Sequence, residues 1–130
     1  METYSPKLVS LIVDGLHFTG FADGTFIGAE RNEDSRIPHV GVHGDVTISE
    51  SADKTGTVTA TLMQSSPSLR YARQLAKSGK VFPVQIVDAN TQSLRAGGTQ
   101  AVILRTPALE YGDEVASTEV SIFVADFDIE

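Results

Sequence analysis

Residues 57–79 read Thr57-Val58-Thr59-Ala60-Thr61-Leu62-Met63-Gln64-Ser65-Ser66-Pro67-Ser68-Leu69-Arg70-Tyr71-Ala72-Arg73-Gln74-Leu75-Ala76-Lys77-Ser78-Gly79. The change of period inside this stretch decides the fold. Val58, Ala60 and Leu62 alternate with Thr57, Thr59 and Thr61, the two-residue repeat of a strand with one apolar face and one threonine face. Threonine is polar but uncharged, which suits a wetted sheet surface. After Gln64 the repeat becomes helical. Leu69, Ala72, Leu75 and Ala76 fall on one stripe, while Arg70, Arg73 and Lys77 fall on the opposite side. Ser66 is placed to cap the helix, Pro67 fits its first position and Gly79 its left-handed stop. Lys77 and Lys80 complement the negative end of the helix dipole.

On both sides the chain reads as strands and turns. Residues 7–13 and 16–21 are apolar-rich and joined by Asp14-Gly15, a two-residue hairpin signal. Asp23-Gly24 turns the chain again into 25–29, so a three-stranded meander is expected. Alternation then stops. Glu30, Arg31, Asn32, Glu33, Asp34, Ser35 and Arg36 are nearly all polar; Ile37, Val40 and Val42 follow among Pro38, Gly41 and Gly44. Segments this long inside a small domain are functional or disordered, and these apolar residues argue against disorder. Residues 30–45 are therefore expected to form an arm or extended hairpin that gains order on a neighbour.

Alternation returns over 46–51, where Val46 and Ile48 are apolar, and a turn at 52–56 leads into the threonine strand. Beyond the helix, a strand over 81–88 ends at Ala89-Asn90. A short strand around Leu94 leads to Gly97-Gly98, another covers 99–105, and a loop lies at 111–113 after Pro107. A long strand over 115–128 sets Val120, Ile122 and Val124 against Glu119, Ser121 and Phe123. The fold class this implies is mainly β with one α-helix. Two packed antiparallel sheets form a sandwich or barrel with the helix outside and the arm extended, all in one domain over 1–130.

Composition narrows the function. The 130 residues carry 41% hydrophobic and 21% charged side chains, a globular balance, and no cysteine for disulfides or thiolate chemistry. No apolar run approaches the roughly 20 residues of a membrane span. Residues 1–7 lack the basic start and apolar core of a leader, which fits a chain made in the cytoplasm. The net charge of −7 disfavours a phosphate-gripping surface. Arg70, Arg73, Lys77 and Lys80 form a basic cluster with no acid between residues 66 and 80; it reads either as a solvated helix face or as a contact surface.

Catalytic and metal patterns are missing. His39 and His43 would lie about 13 Å apart in extended chain; a hairpin could bring them together with Asp45, but no fourth ligand is indicated. His17 reads as a sheet residue. There is no nucleophile elbow, phosphate loop, dinucleotide fingerprint or calcium loop. Asp126 and Asp128 alternate like paired carboxylates, but near the chain end, where fraying is usual. Neither an enzyme nor a cofactor or metal site is expected.

Taken as an ordered series, several segments resemble one family. They are residues 20–24 (Gly-Phe-Ala-Asp-Gly), 30–35 (Glu-Arg-Asn-Glu-Asp-Ser), 55–62 (Thr-Gly-Thr-Val-Thr-Ala-Thr-Leu), 64–68 (Gln-Ser-Ser-Pro-Ser), 82–84 (Phe-Pro-Val) and 88–90 (Asp-Ala-Asn). Together they resemble the short tail tube proteins of contractile-tailed bacteriophages and related prophages, over roughly residues 9–126. The resemblance implies two packed sheets plus one helix, hexameric rings that stack, and a long loop reaching an adjacent subunit or ring. It also implies a lumen lined by sheet, faced here by Thr57, Thr59 and Thr61, through which DNA passes without specific binding. Tail sheath, baseplate and terminator proteins are the implied partners. The implied location is the tail of a virion, or a related injection particle, assembled in the bacterial cytoplasm. The rival readings are a terminator-like component that forms one ring, and a small acidic monomeric β-barrel that binds a ligand.

Overall fold

A computed structural model describes residues 4–90 and 94–129; the sequence reading of residues 1–7 falls partly outside them. The chain begins with a single 3-10 turn, Pro6–Leu8, and then β1 (Val9–Val13). Asp14 and Gly15 follow with φ of 51° and 79°, the two left-handed positions of a tight hairpin turn. That turn returns the chain into β2 (Leu16–His17), with Val13 opposite Leu16.

The expected meander ends there. β3 (Ile27–Arg31) pairs with β6 (Gly56–Met63) and not with β2. Residues 18–26 instead cross the molecule, and Phe21 bridges to Leu62. Turn chemistry predicts where a chain reverses, but the hydrophobic face decides which strand it then meets.

Between β3 and β6 a separate ribbon forms from β4 (Arg36–Val40) and β5 (Val46–Glu50). After the helix α1 (Pro67–Ser78) come β7 (Phe82–Asp88), β8 (Arg95–Val102), β9 (Ser117–Val124) and β10 (Asp128–Ile129). The fold is thus mainly β with one helix, in two antiparallel sheets. The larger has the order β2-β1-β7-β8-β9-β6-β3, with β10 beside β8; the smaller is β4-β5.

The larger sheet wraps around one core. Leu11, Val13 and Val84 from one half share it with Val58, Ala60, Leu62, Val120 and Ile122 from the other. Leu69, Ala72 and Leu75 close it from α1, with Ala76 half-buried beside them. Each fully buried aliphatic side chain contributes about 1.5–3 kcal/mol.

Side-chain oxygens place the helix. Ser66 Oγ accepts from Ser68 N at 3.3 Å and donates to the Thr19 carbonyl at 2.5 Å, and Ser68 Oγ accepts from Thr19 N at 3.0 Å. Both serines are buried, so the helix start is stitched to the crossing segment. Gly79, at φ 66°, ends the helix with its N–H on the Leu75 carbonyl at 3.1 Å.

Two strand expectations need correction. Gly97 and Gly98 are not a turn but the middle of β8. Gly97 sits at φ 138°, and a β-carbon there would run into the Val84 carbonyl across the ladder, beside the register shift between Phe82 and Val84. Glycine inside a strand here marks close backbone approach. The long strand expected over 115–128 also breaks, at residues 125–127. There Asp126 accepts from Thr99 N, Thr99 Oγ1 and Gln100 N at 2.6–3.1 Å, and the chain restarts as β10 against Ala96 and Gly97. The Thr99 hydroxyl, then the Gln100 N–H, hold the Asp126 carboxyl below the usual range. Asp126 therefore clamps β8, and Asp128 faces Arg31 at 3.9 Å.

Candidate assembly surface

The arm is planted by Asn32. Its backbone N–H donates to the Thr55 carbonyl at 3.1 Å, and its side chain bonds Thr55 Oγ1 at 3.0 Å and Thr57 Oγ1 at 2.7 Å. Asp53 accepts from both the N–H and the hydroxyl of Thr55, which lowers its pKa, and so fixes the return path. Glu30 and Arg31, assigned to the arm from sequence, instead lie in β3, paired with Thr57 and Gly56. Conversely, Val46 and Ile48, read as part of the body, belong to the arm.

Register sorts the arm's faces. Residues directly opposite one another in an antiparallel pair point the same way. Pro38 faces Ile48 and Val40 faces Val46, with Arg36 opposite Glu50 at the base. One face is therefore apolar above a charged root. The other carries Ile37 with Ser49 and His39 with Thr47, and His39 Nε2 lies 3.0 Å from Ser49 Oγ. At the tip, Gly41 N donates to the Asp45 carbonyl and Gly44 N to the Gly41 carbonyl.

None of the described residues covers the apolar face. Val40 is 71% exposed, Val46 61%, Ile48 60% and the tip residue Val42 101%. Glu33, Asp34, Ser35 and Ile37 are exposed as well. A lone two-stranded ribbon is marginal in water, and exposed apolar patches mark contact sites.

The outer face of β6 is mostly polar, in contrast. Thr57, Thr59 and Thr61 are half-buried on the side away from Val58, Ala60 and Leu62. Opposite them stand Phe123, Ser121 and Glu119 of β9, and Glu30 of β3 faces Thr57. These strand residues include two acids and no base; Arg105 borders the same face from the loop after β8.

On the helix, Arg70 and Lys77 are exposed, but Arg73 is not on a free outer face with them. It is half-buried, its Nη2 donates to Gln64 Oε1 at 3.3 Å, and its Nε is enclosed without a hydrogen-bond partner. Lys80 is engaged too, meeting Asp14 Oδ2 at 2.6 Å, where the Tyr71 hydroxyl also donates at 2.9 Å. The Lys80 contact, then the Tyr71 bond, depress the Asp14 pKa, and Asp14 raises that of Lys80.

Sequence reasoning missed this clasp between the first hairpin and the helix end. Only the positive-φ turn at Asp14 could have signalled that a carboxylate is held at a fixed point. It also missed the length of the segment after β8, where Leu104, Leu109, Tyr111 and Val115 are exposed.

Among the described residues no group of three or more His, Asp or Glu side chains could hold a metal, and no helix is long and apolar enough to cross a membrane.

No family model matches the chain, and no curated protein matches it in sequence. Solved structures do match its fold. One is from the sheath/tube terminator of the PVC extracellular contractile injection system in its extended state, at TM-score 0.64 and 9% identity, covering 100% of this chain and 98% of that one. A second is the tube-terminating cap of the anti-feeding prophage, at TM-score 0.62 and 8% identity over 100% and 92%. A third comes from the PVC sheath–tube complex in its extended state, at TM-score 0.63 and 8% identity over 98% and 91%. The chain shares their fold across nearly its whole length.

Proposed function

We propose that this chain is a structural subunit of a contractile tail or injection particle, and that it works by self-assembly into stacked rings forming a tube. The observation that carries the reading is the arm. A body of this fold projects a ribbon whose apolar face, Pro38, Val40, Val46 and Ile48, stands exposed and available to a neighbour. A monomeric ligand-binding barrel would gain nothing from that face and would risk aggregation. Arm and body are different surfaces of one chain, so unless two copies exchange arms reciprocally their contact is head-to-tail and closes into rings or runs into a filament.

In such a tube the threonine face of β6 suits the lumen. Glu30 and Glu119 add negative charge to it, which keeps DNA phosphates from sticking. Arg70 and Lys77 then remain for a tail sheath protein, with baseplate and terminator proteins at the tube ends. The particle is assembled in the bacterial cytoplasm.

A second reading is favoured by one observation: two of the matching structures are a terminator and a terminating cap. A terminator would form one ring and stop. Electron microscopy of the concentrated protein separates the readings. Stacked rings support the tube subunit, single rings the terminator, and a persistent monomer removes both. A variant with residues 34–52 replaced by a short Gly-Ser linker should lose assembly while its thermal unfolding stays near that of the parent monomer. If that variant still builds full-length tubes, the arm is dispensable.

A further inference from the structure

The core is not closed on all sides. Ile27, Ala29, Ile86 and Phe21 pack against it yet stay half-buried. They meet at one flank, where β3 ends the large sheet. Among the described residues β3 has one hydrogen-bonded neighbour strand, β6, which leaves its outer edge unpaired.

Alongside that edge runs a groove of about 600 Å³, lined by Ile27, Ile86, Leu94 and Ile129 among others. It adjoins a second of about 500 Å³ lined by Phe21 and Phe26, whose rings stand 5.2 Å apart. The small residues Gly28, Ala29 and Ala96 keep backbone within reach along the first groove. Among the described residues, charged side chains enter the lining at Lys7, Asp23 and Asp88 only.

We infer that this flank is the acceptor for the β4–β5 arm of a second copy, whose apolar face completes the core along the free edge of β3. The inference rests on the self-assembly reading above. Three features on the same chain match. The groove is apolar along most of its lining, and the arm's one apolar face is uncharged above the Arg36–Glu50 pair. The free edge, Ile27–Arg31, is five residues long, as is β5, which unlike β4 with Pro38 keeps every backbone N–H and so can pair along its whole length. None of the described residues covers the flank either, because the chain's own arm leaves from the opposite end of β3, beyond Arg31, with its apolar side chains exposed. Seating a foreign arm there removes two liabilities at once, an open sheet edge and an uncovered ribbon.

The cysteine-free sequence makes the test clean. Val40→Cys on the arm is combined with Leu94→Cys in the groove, and separately with Arg70→Cys on the helix as a control. Each protein is treated with a short bis-maleimide under conditions where the parent assembles by sedimentation. The first pair should give a ladder of covalent multimers, and the control pair should not.

If assemblies form and the two pairs cross-link equally, or only the control does, the groove assignment is overturned while self-assembly stands. If the parent never assembles at any concentration, both fall. Ile86→Arg adds a second readout. It places a charge in the groove lining, so sedimentable assembly should be lost. Should it retain full assembly, the groove is not the acceptor. Should it unfold, the cross-linking pair still decides.

Discussion

At single residues, the burial pattern sets which changes the protein tolerates. Leu75 is buried under the sheet, so Leu75→Ala should cost about 2–5 kcal/mol in urea unfolding. Thr59 faces away from the core with only a 3.5 Å contact to the Gly28 carbonyl, so Thr59→Val should stay within about 0.5 kcal/mol. A larger loss would mean that the outer face of β6 is packed. Asp126 gives a pH signature. Its folded pKa lies below the unfolded value of about 3.9, so its contribution is fully present above that value and lost as pH falls through the folded pKa. The difference in urea midpoint between parent and Asp126→Asn should be constant from pH 7 to about 5 and close below about 4. A gap that persists unchanged to pH 2 would show that the clamp does not depend on the carboxylate. The facing of Leu75 and Thr59 was legible beforehand, but the Asp126 clamp was not, because its partners lie about 26 residues away in β8.

Elements were legible in proportion to how local their signals are. The helix, with its serine cap and glycine stop, and the threonine strand were readable because capping and alternation act within a few residues. The pairing of β3 with β6, the unbroken β8 and the split after β9 were not, since long-range packing decides them. The arm was half legible. Loss of alternation marked it, but the alternating Val46 and Ile48 looked like core because a ribbon that waits for a partner carries the same pattern as a buried strand. The helix face allows a direct check. Arg70→Glu with Lys77→Glu should leave thermal unfolding unchanged, since both side chains are in solvent. Arg73→Glu should lower the melting temperature by several degrees, because a half-buried guanidinium bonded to Gln64 is replaced by a carboxylate facing the Gln64 oxygen. Equal effects of the two variants would place Arg73 back on the solvated face.

At the scale of the whole molecule, charge opposes the association that the apolar surfaces favour. If six copies met in a ring, as the family resemblance implies, they would carry −42 at −7 each, and like-charged subunits repel until salt screens them. The Debye length shrinks from about 30 Å at 0.01 M to about 8 Å at 0.15 M ionic strength. Assembly followed by light scattering should therefore start at a lower protein concentration at 0.15 M than at 0.01 M salt. The reverse trend would mean that specific ion pairs dominate the subunit contacts.

The root of the arm has a mechanical consequence. Its two ends enter the body side by side at one end of the large sheet, through Arg31 of β3 and Gly56 of β6. A pull on the arm along these strands draws both the same way, so the load passes into the ladder between β6 and β9, which runs without interruption from Gly56 opposite Val124 to Met63 opposite Ser117. Hydrogen bonds in an antiparallel ladder lie across the strands. The pull therefore shears them together instead of opening them one at a time. In the assembly proposed above, a tug between subunits would therefore meet a joint that resists in parallel.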